Sequence, residues 1–243
     1  MSSKTRLNKA LTMLGVCSRR EADKLIISGD IQINGTVCNE LGSGIIDGDL
    51  ISVRGIEYFF RSSDINARVW LYYKPKGLIV THHDKMGRKT IFDDLKTKIN
   101  GRVISVGRLD LNSEGLLILT NSGEFARYAE SPRTAWERCY NVRIFGKIDQ
   151  TIIKNLRNGT IVNGVRYRPM IIKKLSHNSG INCLNYWVDC ILHEGKNREI
   201  RKLFGHFGIM VNRLIRYKFG PYELRNLKSG EVQTSFIQKA DYQ

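Results

Sequence analysis

The sequence predicts an α+β protein built in two parts of unequal size, with a mainly antiparallel mixed sheet in the larger part. Apolar residues at helical spacing alternate with short apolar strands, and Asn-Gly pairs at 34–35 and 163–164 mark two hairpins. Hairpin-linked strands with interspersed helices favour such a sheet over the parallel sheet of a regular βαβ array. We expect a small domain over residues 1–61, a linker over 62–67 and a larger domain over 68–243.

The small domain begins with two predicted helices. Apolar residues recur at helical spacing over 7–14, and Ser18 with Glu21 forms a capping box that starts a second helix. A hairpin follows at 31–37, and a further strand is predicted at 50–53. The order is therefore helix, helix, hairpin and strand.

The two predicted helices carry a cluster of cations with few acids between them: Arg6, Lys9, Arg19, Arg20 and Lys24. Any one of these is explained by an ordinary solvated helix face, but the group predicts a surface that faces nucleic acid. A DNA-reading helix-turn-helix is the alternative. It is less favoured because a hairpin follows at once and no dimerisation segment is evident.

The charge of the whole chain supports a polyanionic partner. There are 39 Lys and Arg against 23 Asp and Glu, for a net charge of +16. Membrane-surface binding is the competing explanation, but the cations are spread through the chain and do not form one block. No apolar run approaches the ~20 residues of a membrane helix. We therefore expect no membrane partner and a cytoplasmic protein.

Neither metal nor disulfide chemistry is predicted. The five cysteines show no Cys-x-x-Cys spacing, which argues against a disulfide framework and a zinc site. The His82-His83-Asp84 cluster suggests a metal site, but no third ligand at a suitable spacing supports it. The absence of phosphate-binding and dinucleotide fingerprints leaves nucleotide cofactors unsupported.

The larger part mixes short strands with helices. Its strands are predicted at 69–73, 103–106, 116–119, 141–145, 186–192 and 211–216, with a hairpin at 161–165. Helices are predicted near 124–129 and from Ile200, where Ile200, Leu203, Phe204 and Phe207 form one apolar stripe.

The most informative stretch is 106–120, where one carboxylate lies in a short bend between two apolar strands. The continuous apolar run at 116–119 is typical of a strand buried on both faces. Asp110 therefore lies at a strand end, where a scaffold can hold a polar group beside a cleft. A turn-capping aspartate explains the same spacing. Arg108 or a distant arginine is expected to pair with a buried carboxylate there.

Short motifs along nearly the whole chain match one known family. Gly-Arg-Leu-Asp at 107–110 is followed by Ser113, Gly115 and Leu-Leu, and Tyr-Tyr-Lys-Pro-Lys-Gly, Phe-Asp-Asp-Leu, Arg-Ile-Phe-Gly and Arg-Leu-Ile-Arg-Tyr occur elsewhere. These resemble the RsuA/RluB-type ribosomal RNA pseudouridine synthases, most closely the large-subunit RluB branch. The Arg-Leu-Asn-Lys start, the Cys-Ser-Arg-Arg-Glu-Ala turn and the Ile-Asn-Gly hairpin resemble an S4 RNA-binding domain.

The resemblance implies a fold and a set of site residues. The fold is an S4 domain followed by a pseudouridine synthase domain. Asp110 is implied as the catalytic residue, and Tyr140 as the ring that packs on the target base, although core packing explains a lone tyrosine. Leu214, with Val211 as the alternative, is implied to pack under that ring. Arg108, beside Asp110, is expected to hold the RNA open.

The helix from Ile200 adds one further expectation for the site. Arg201 lies ~100° around the helix from Ile200, at the edge of the apolar stripe, so its guanidinium can turn inward toward a carboxylate. The resemblance implies that this carboxylate is Asp110. Arg198 and Lys202 lie further round and suit phosphates, and the loop containing Arg88 resembles a family loop that contacts RNA.

These features predict an isomerase that converts uridine to pseudouridine in ribosomal RNA, without metal or cofactor. We expect a monomer whose partner is large-subunit (23S) ribosomal RNA or a ribosomal subunit precursor. A synthase for small-subunit ribosomal RNA is one alternative, and a non-catalytic S4-type RNA-binding or ribosome assembly factor is another. The joint presence of Asp110, Tyr140 and Arg201 favours an enzyme, because a pure binding protein has no need of all three.

Overall fold

The computed structural model describes residues 4–64, 66–174 and 184–237. Its helices are α1 Leu7–Met13, α2 Arg19–Ile27, α3 Ile91–Leu95, α4 Gly123–Glu130, α5 Gln150–Asn158 and α6 Glu199–His206. Its strands are β1 Thr5–Arg6, β2 Ile31–Ile33, β3 Thr36–Val37, β4 Gly44–Ile45, β5 Leu50–Val53, β6 Ile56–Phe59, β7 Val69–Lys74, β8 Ile104–Val106, β9 Glu114–Thr120, β10 Arg138–Phe145, β11 Ile161–Val162, β12 Val165–Arg166, β13 Ile171–Lys174, β14 Asn185–Leu192, β15 Met210–Phe219, β16 Tyr222–Glu223 and β17 Val232–Ser235.

The N-terminal part packs α1 and α2 against a four-stranded sheet of order β3-β2-β5-β6. Ser18 caps α2 by accepting a hydrogen bond from the Glu21 N–H at 3.1 Å, as the capping box predicts. Asn34 and Gly35 both have positive φ, 50° and 81°, which suits the tight turn between β2 and β3. The predicted helices and hairpin are confirmed. They enclose their own core, which includes Leu11, Ile26 and Ile51.

The larger part is built on a nine-stranded sheet of main order β13-β14-β10-β15-β9-β7-β17, with β8 paired to β9 and β16 to β15. The paired strands run antiparallel except β9 and β15, which are parallel. The mainly antiparallel mixed sheet is therefore confirmed, and β11 and β12 form the second predicted hairpin around Asn163 and Gly164.

Strand β9 lies in the middle of the larger core, and every one of its residues is buried. Leu117 and Leu119 belong to the cluster on one face of the sheet, whereas Leu116 and Ile118 pack with Phe125 of α4 on the other. The prediction of a strand buried on both faces is confirmed. The bend that precedes β9 is consequently attached to a rigid element.

Several elements were not anticipated from the sequence. Helix α5 has one fully buried side chain, Leu156, and Ile152 is partly buried against the same core. Strand β17 is mostly polar and gains its place by pairing with β7 at the sheet edge. The predicted linker over 62–67 contains a 3-10 turn at Ser62–Asp64.

The structure bears on two predictions from composition, those for the cysteines and for membrane-spanning helices. The cysteines Cys17, Cys38, Cys139 and Cys190 are free thiols, and Cys183 lies outside the described residues. None of the helices in the described ranges has the length and apolar character that crossing a membrane requires.

The parallel contact between β9 and β15 is unusually close at Gly115. This residue has a φ of 99°, and a Cβ placed on it would lie 2.2 Å from the backbone oxygen of Arg216. Both the backbone conformation and the space exclude a larger side chain. Only glycine allows the two strands to meet here.

We therefore expect Gly115→Ala to destabilise the protein by about 2–5 kcal/mol, the sum of a left-handed backbone and an overpacked contact. Gly164→Ala is the matched control, because Gly164 has a φ of 76° and open space around it. It should lose only the backbone part, about 1–2 kcal/mol. Thermal unfolding of both variants measures the difference, and equal losses would contradict the close contact.

Candidate active site

A cavity of about 870 Å³ opens at the carboxyl end of β8. Its walls come from the bend after β8, from β10 and β15, and from the start of α6. Five residues implied in catalysis or its support line it: Arg108, Asp110, Tyr140, Arg201 and Leu214. Residues more than 100 positions apart in the chain are thus brought to one concave surface, which is the usual form of a ligand site.

The bend between β8 and β9 holds Asp110 on the cavity wall. Gly107 opens the bend with a φ of 66°, and its N–H donates to the Glu130 carboxylate at 2.7 Å. The backbone oxygen of Asp110 accepts from the Ser113 N–H at 3.0 Å. Among the described residues, none forms an ion pair with the Asp110 side chain. The fold therefore fixes the backbone of this residue and leaves its carboxylate open to the cavity.

The prediction that Arg201 forms an ion pair with Asp110 is wrong, because the guanidinium binds other partners. The Arg201 guanidinium donates to the backbone oxygens of Val211 at 2.8 Å and Asn112 at 2.9 Å. Burial and the neighbouring Arg198 lower the pKa of Arg201, while attraction from Asp110 opposes that shift. Helical geometry placed the residue correctly at the inner edge of α6. Its two terminal nitrogens donate instead to carbonyl oxygens, one of them in the bend itself, and its Nε is buried without a partner.

A second cation, Lys74, lies beneath the bend and was not anticipated as a site residue. Its side chain is 0% exposed, and the ammonium donates to the backbone oxygens of Ser113 at 2.9 Å and Pro75 at 3.0 Å. Burial lowers the pKa of Lys74 to about 8, against the attraction of Glu114 and Asp110. Lys74 lies in the Tyr-Tyr-Lys-Pro-Lys-Gly motif, but nothing in that local sequence indicated that its side chain would be buried.

Tyr140 and Arg216 face each other across β10 and β15. Arg216 is 2% exposed, donates from Nε to the Leu116 backbone oxygen at 2.8 Å and lies 4.9 Å above the Phe219 ring. One of its terminal nitrogens is buried without a partner. Burial lowers the pKa of Arg216, and the Tyr140 hydroxyl opposes that shift. A buried arginine thus supports the tyrosine from within the sheet, a contact that local sequence cannot reveal.

Leu214 lines the cavity, whereas Val211, the alternative for its role, pairs with Ile144 and is absent from the cavity wall. Leu214 is buried and lies opposite Val142 in the β10–β15 ladder. Two positions along from Arg216 on the same strand, it points to the same face of the sheet. Tyr140, Leu214 and Arg216 together form one wall.

The other predicted RNA contacts are distributed differently. Arg88 and Arg198 line the cavity, and Arg88 forms an ion pair of 2.8 Å with Asp84. Lys202 is exposed and lies outside the cavity wall. Of the cations predicted in the small domain, Arg6, Arg20 and Lys24 are exposed, whereas Lys9 and Arg19 line a second cavity.

The described residues contain no group of three or more His, Cys, Asp or Glu side chains that could hold a metal ion. His82 instead stacks on Phe92, with ring centroids 3.6 Å apart. The cavity therefore combines the Asp110 carboxylate, which forms no ion pair among the described residues, with the Tyr140 ring and several cations.

The rim of the cavity contains two interacting acids, the partly exposed Glu194 and the buried Glu199. Glu199 is 5% exposed, and one of its oxygens accepts from the Lys196 N–H at 2.8 Å while the other is buried without a partner. Burial raises the pKa of Glu199 to about 8, and the adjacent Glu194 contributes in the same direction. Glu194 forms an ion pair with the Lys196 ammonium, so Glu199 is the member that retains a proton.

This pair predicts a pH-dependent stability. The pKa of Glu199 is raised in the folded chain from 4.5 to about 8, so its contribution is complete below the lower value and is lost as pH rises through the upper one. We expect the free energy of unfolding of the natural protein to fall, relative to Glu199→Gln, between about pH 5 and pH 8. Denaturant titrations across this range measure it. Two parallel curves would show that the proton is not held.

Comparison with known proteins identifies the family. The RNA pseudouridylate synthase model matches residues 68–206, and the S4 domain model matches residues 5–51. An uncharacterised RNA pseudouridine synthase of Rickettsia bellii is 45% identical over 94% of this chain and 95% of its own. Ribosomal large subunit pseudouridine synthase B of Pseudomonas aeruginosa is 37% identical over 89% of this chain and 55% of its own.

A solved structure of a pseudouridylate synthase has the same fold. It aligns with a TM-score of 0.65 at 23% identity and covers 95% of this chain and 96% of its own. With a family model matched over more than half of the residues and relatives above 40% identity over nearly the full length, this chain belongs to the RNA pseudouridylate synthase family.

Proposed function

We propose that this synthase isomerises uridine in large-subunit (23S) ribosomal RNA and that Asp110 is its catalytic residue. The observation that carries the proposal is an unpaired carboxylate fixed on the wall of a cationic cavity, with Tyr140 beside it. The relatives named for the large ribosomal subunit support the choice of substrate. We also expect a monomer, since one chain contains both the RNA-binding module and the cavity. A cytoplasmic location is a separate expectation.

The target uridine must first leave its stack, because its glycosidic bond is inaccessible there. Tyr140 then offers a ring on which the extruded base stacks, a contact worth ~1–3 kcal/mol. Arg108, exposed in the bend beside Asp110, is placed to hold the opened RNA through its phosphates. These residues bind and orient the uridine before any bond changes.

The isomerisation breaks the bond between ribose C1′ and base N1 and forms a bond between C1′ and C5. The C5 proton is lost and N1 gains one, so the product has the atoms of the substrate. Asp110 acts on the ribose, either by attack on the sugar carbon or by removal of a ribose proton. Both routes need the ionised carboxylate, and both need the base to turn while it stays in the cavity.

The positive charges that act on Asp110 are fixed in position. Lys74 and Arg201 both attract Asp110, as their mutual electrostatic influence shows. Each is held by backbone carbonyls, so neither has to move when the substrate enters. The charge that supports the carboxylate is in place before the reaction, which is the arrangement that electrostatic catalysis requires.

The first test is Asp110→Asn with uridine labelled at C5 in 23S and 16S ribosomal RNA transcripts. The natural protein should release label from 23S transcripts only. The amide keeps the shape but loses the charge, so we expect a loss of about 10³-fold or more in rate with RNA affinity changed less than about threefold. Substantial turnover by the variant would reject the role of Asp110. Release from 16S RNA alone would reject the choice of subunit.

A second test separates position from charge on α6. Arg201→Ala, Arg198→Ala and Lys202→Ala each remove one positive charge, but only Arg201 ties the bend to β15 through the Asn112 and Val211 oxygens. Loss of these charge-assisted hydrogen bonds should lower the single-turnover rate constant about 10- to 100-fold. The other two variants should mainly weaken RNA binding. Measured at saturating enzyme, three equal rate constants would exclude this positioning role.

A further inference from the structure

A second cavity, of about 430 Å³, lies between the N-terminal domain and the synthase domain. The N-terminal side supplies Lys9, Met13 and Arg19 from α1 and α2. The synthase side supplies Arg102, Ile104 and Arg127, from the segment before β8, from β8 itself and from α4. None of these residues lines the catalytic cavity.

The charge on the walls of this interdomain cavity is strongly unbalanced. Four cations line it against the single carboxylate of Glu124, which binds the Lys9 ammonium at 2.5 Å. Arg19, Arg102 and Arg127 form no ion pair with any residue in the described part of the chain. Three arginines therefore face one space whose single carboxylate forms its ion pair with Lys9.

Arg102 is the most informative of the three, because it is half-buried. Burial lowers the pKa of Arg102, and the Cys17 thiol from the other domain opposes this shift. A guanidinium removed from water without a partner loses hydration free energy. An anion bound in the cavity would offset the hydration free energy that the Arg102 guanidinium loses on burial.

The two cavities lie on opposite sides of one strand. Ile104 of β8 lines the interdomain cavity and its neighbour Ser105 lines the catalytic cavity, because successive side chains of a strand point to opposite faces. Arg102 also acts on His82, whose neighbours Thr81 and His83 line the catalytic cavity. The same strand therefore forms part of the wall of both cavities.

We propose that the interdomain cavity binds the backbone phosphates of the substrate RNA, outside the nucleotide that is modified. Arg102 and Arg127 supply the contacts from the synthase domain and Arg19 from the N-terminal domain, so the RNA itself fastens the two domains together. Planar guanidinium groups bind phosphate oxygens bidentately. This inference rests on the proposed function in taking RNA as the substrate.

The lining also distinguishes a backbone site from a base site. No aromatic ring is among the lining residues, all of which lie in the described part of the chain, so the cavity offers no surface for base stacking. Contacts to phosphate fix the register of a nucleic acid without reading its sequence. The site should therefore contribute affinity and salt dependence, and little preference among bases.

The test measures the affinity of a 23S ribosomal RNA stem-loop at several salt concentrations for Arg102→Gln, Arg127→Gln, Glu124→Gln and Arg157→Gln. The first two should each weaken binding about 3- to 10-fold at low salt and reduce the salt slope by about 1. Glu124→Gln removes the carboxylate from the cavity and should tighten binding with a steeper slope. Arg157→Gln is the matched control, since Arg157 is exposed on α5 and lines neither cavity.

The site is rejected if both cavity arginine variants bind like Arg157→Gln, or if Glu124→Gln weakens binding. Arg127 is exposed, so its variant should remain folded and decides the matter if Arg102→Gln unfolds. The outcome is separate from that of the proposed function. A natural protein that binds the stem-loop through these arginines but releases no label would reject the substrate assignment and leave the site standing.

Discussion

The close parallel contact of Gly115 with Arg216 is the constraint on which the catalytic cavity depends. The two strands pair in parallel at only two positions, Ile215 with Glu114 and Arg216 with Gly115. The bend that contains Asp110 precedes this contact in the chain, and β15 carries Arg216 at the contact and Leu214 two residues before it. Because β10 pairs with β15 on its other side, Tyr140 joins the same wall. The close approach that Gly115 permits thus places the Asp110 bend and the Tyr140 ring on the same cavity.

The cations around this contact bind backbone carbonyl oxygens. A simple electrostatic argument would instead predict carboxylates as their partners. Lys74, Arg201 and Arg216 each donate to backbone oxygens between Asn112 and Leu116, or close to them in space. Such bonds satisfy buried donors without consuming the single reactive carboxylate. A tight ion pair would also block access to the Asp110 carboxylate. The arrangement keeps positive charge nearby while the Asp110 side chain remains available to the ribose.

Local periodicity was enough to predict the helices and strands that bury a clear apolar face. It predicted α2 from its cap, β9 from a continuous apolar run and α6 from its apolar stripe, each visible within a few residues. It missed α5, whose helix buries one side chain. The domain limits of 1–61, 62–67 and 68–243 stay predictions, although separate cores form in the two parts.

A site residue was predictable only where its own strand or helix indicated that its side chain faces the cavity. Asp110 follows from a strand end and Arg201 from the edge of a helical stripe, and both line the cavity. The partners of Arg201 could not be derived, since Val211 lies on another strand and backbone oxygens have no sequence signature. Arg216 and Lys74 look like ordinary strand residues; they matter because register across distant strands buries them. Long-range pairing is the information that the local sequence lacks.

The cations behind the +16 net charge have two different roles, one in the catalytic cavity and one in attracting RNA. Cations that shape the catalytic cavity, such as Lys74 and Arg216, are buried, so dissolved salt screens them little. Cations on the N-terminal helices, such as Arg20 and Lys24, are exposed, and their attraction for RNA weakens as counterions compete. Salt therefore acts on how much RNA is bound far more than on how fast bound uridine reacts. The interdomain cavity lies between these extremes, because its arginines range from half-buried to exposed.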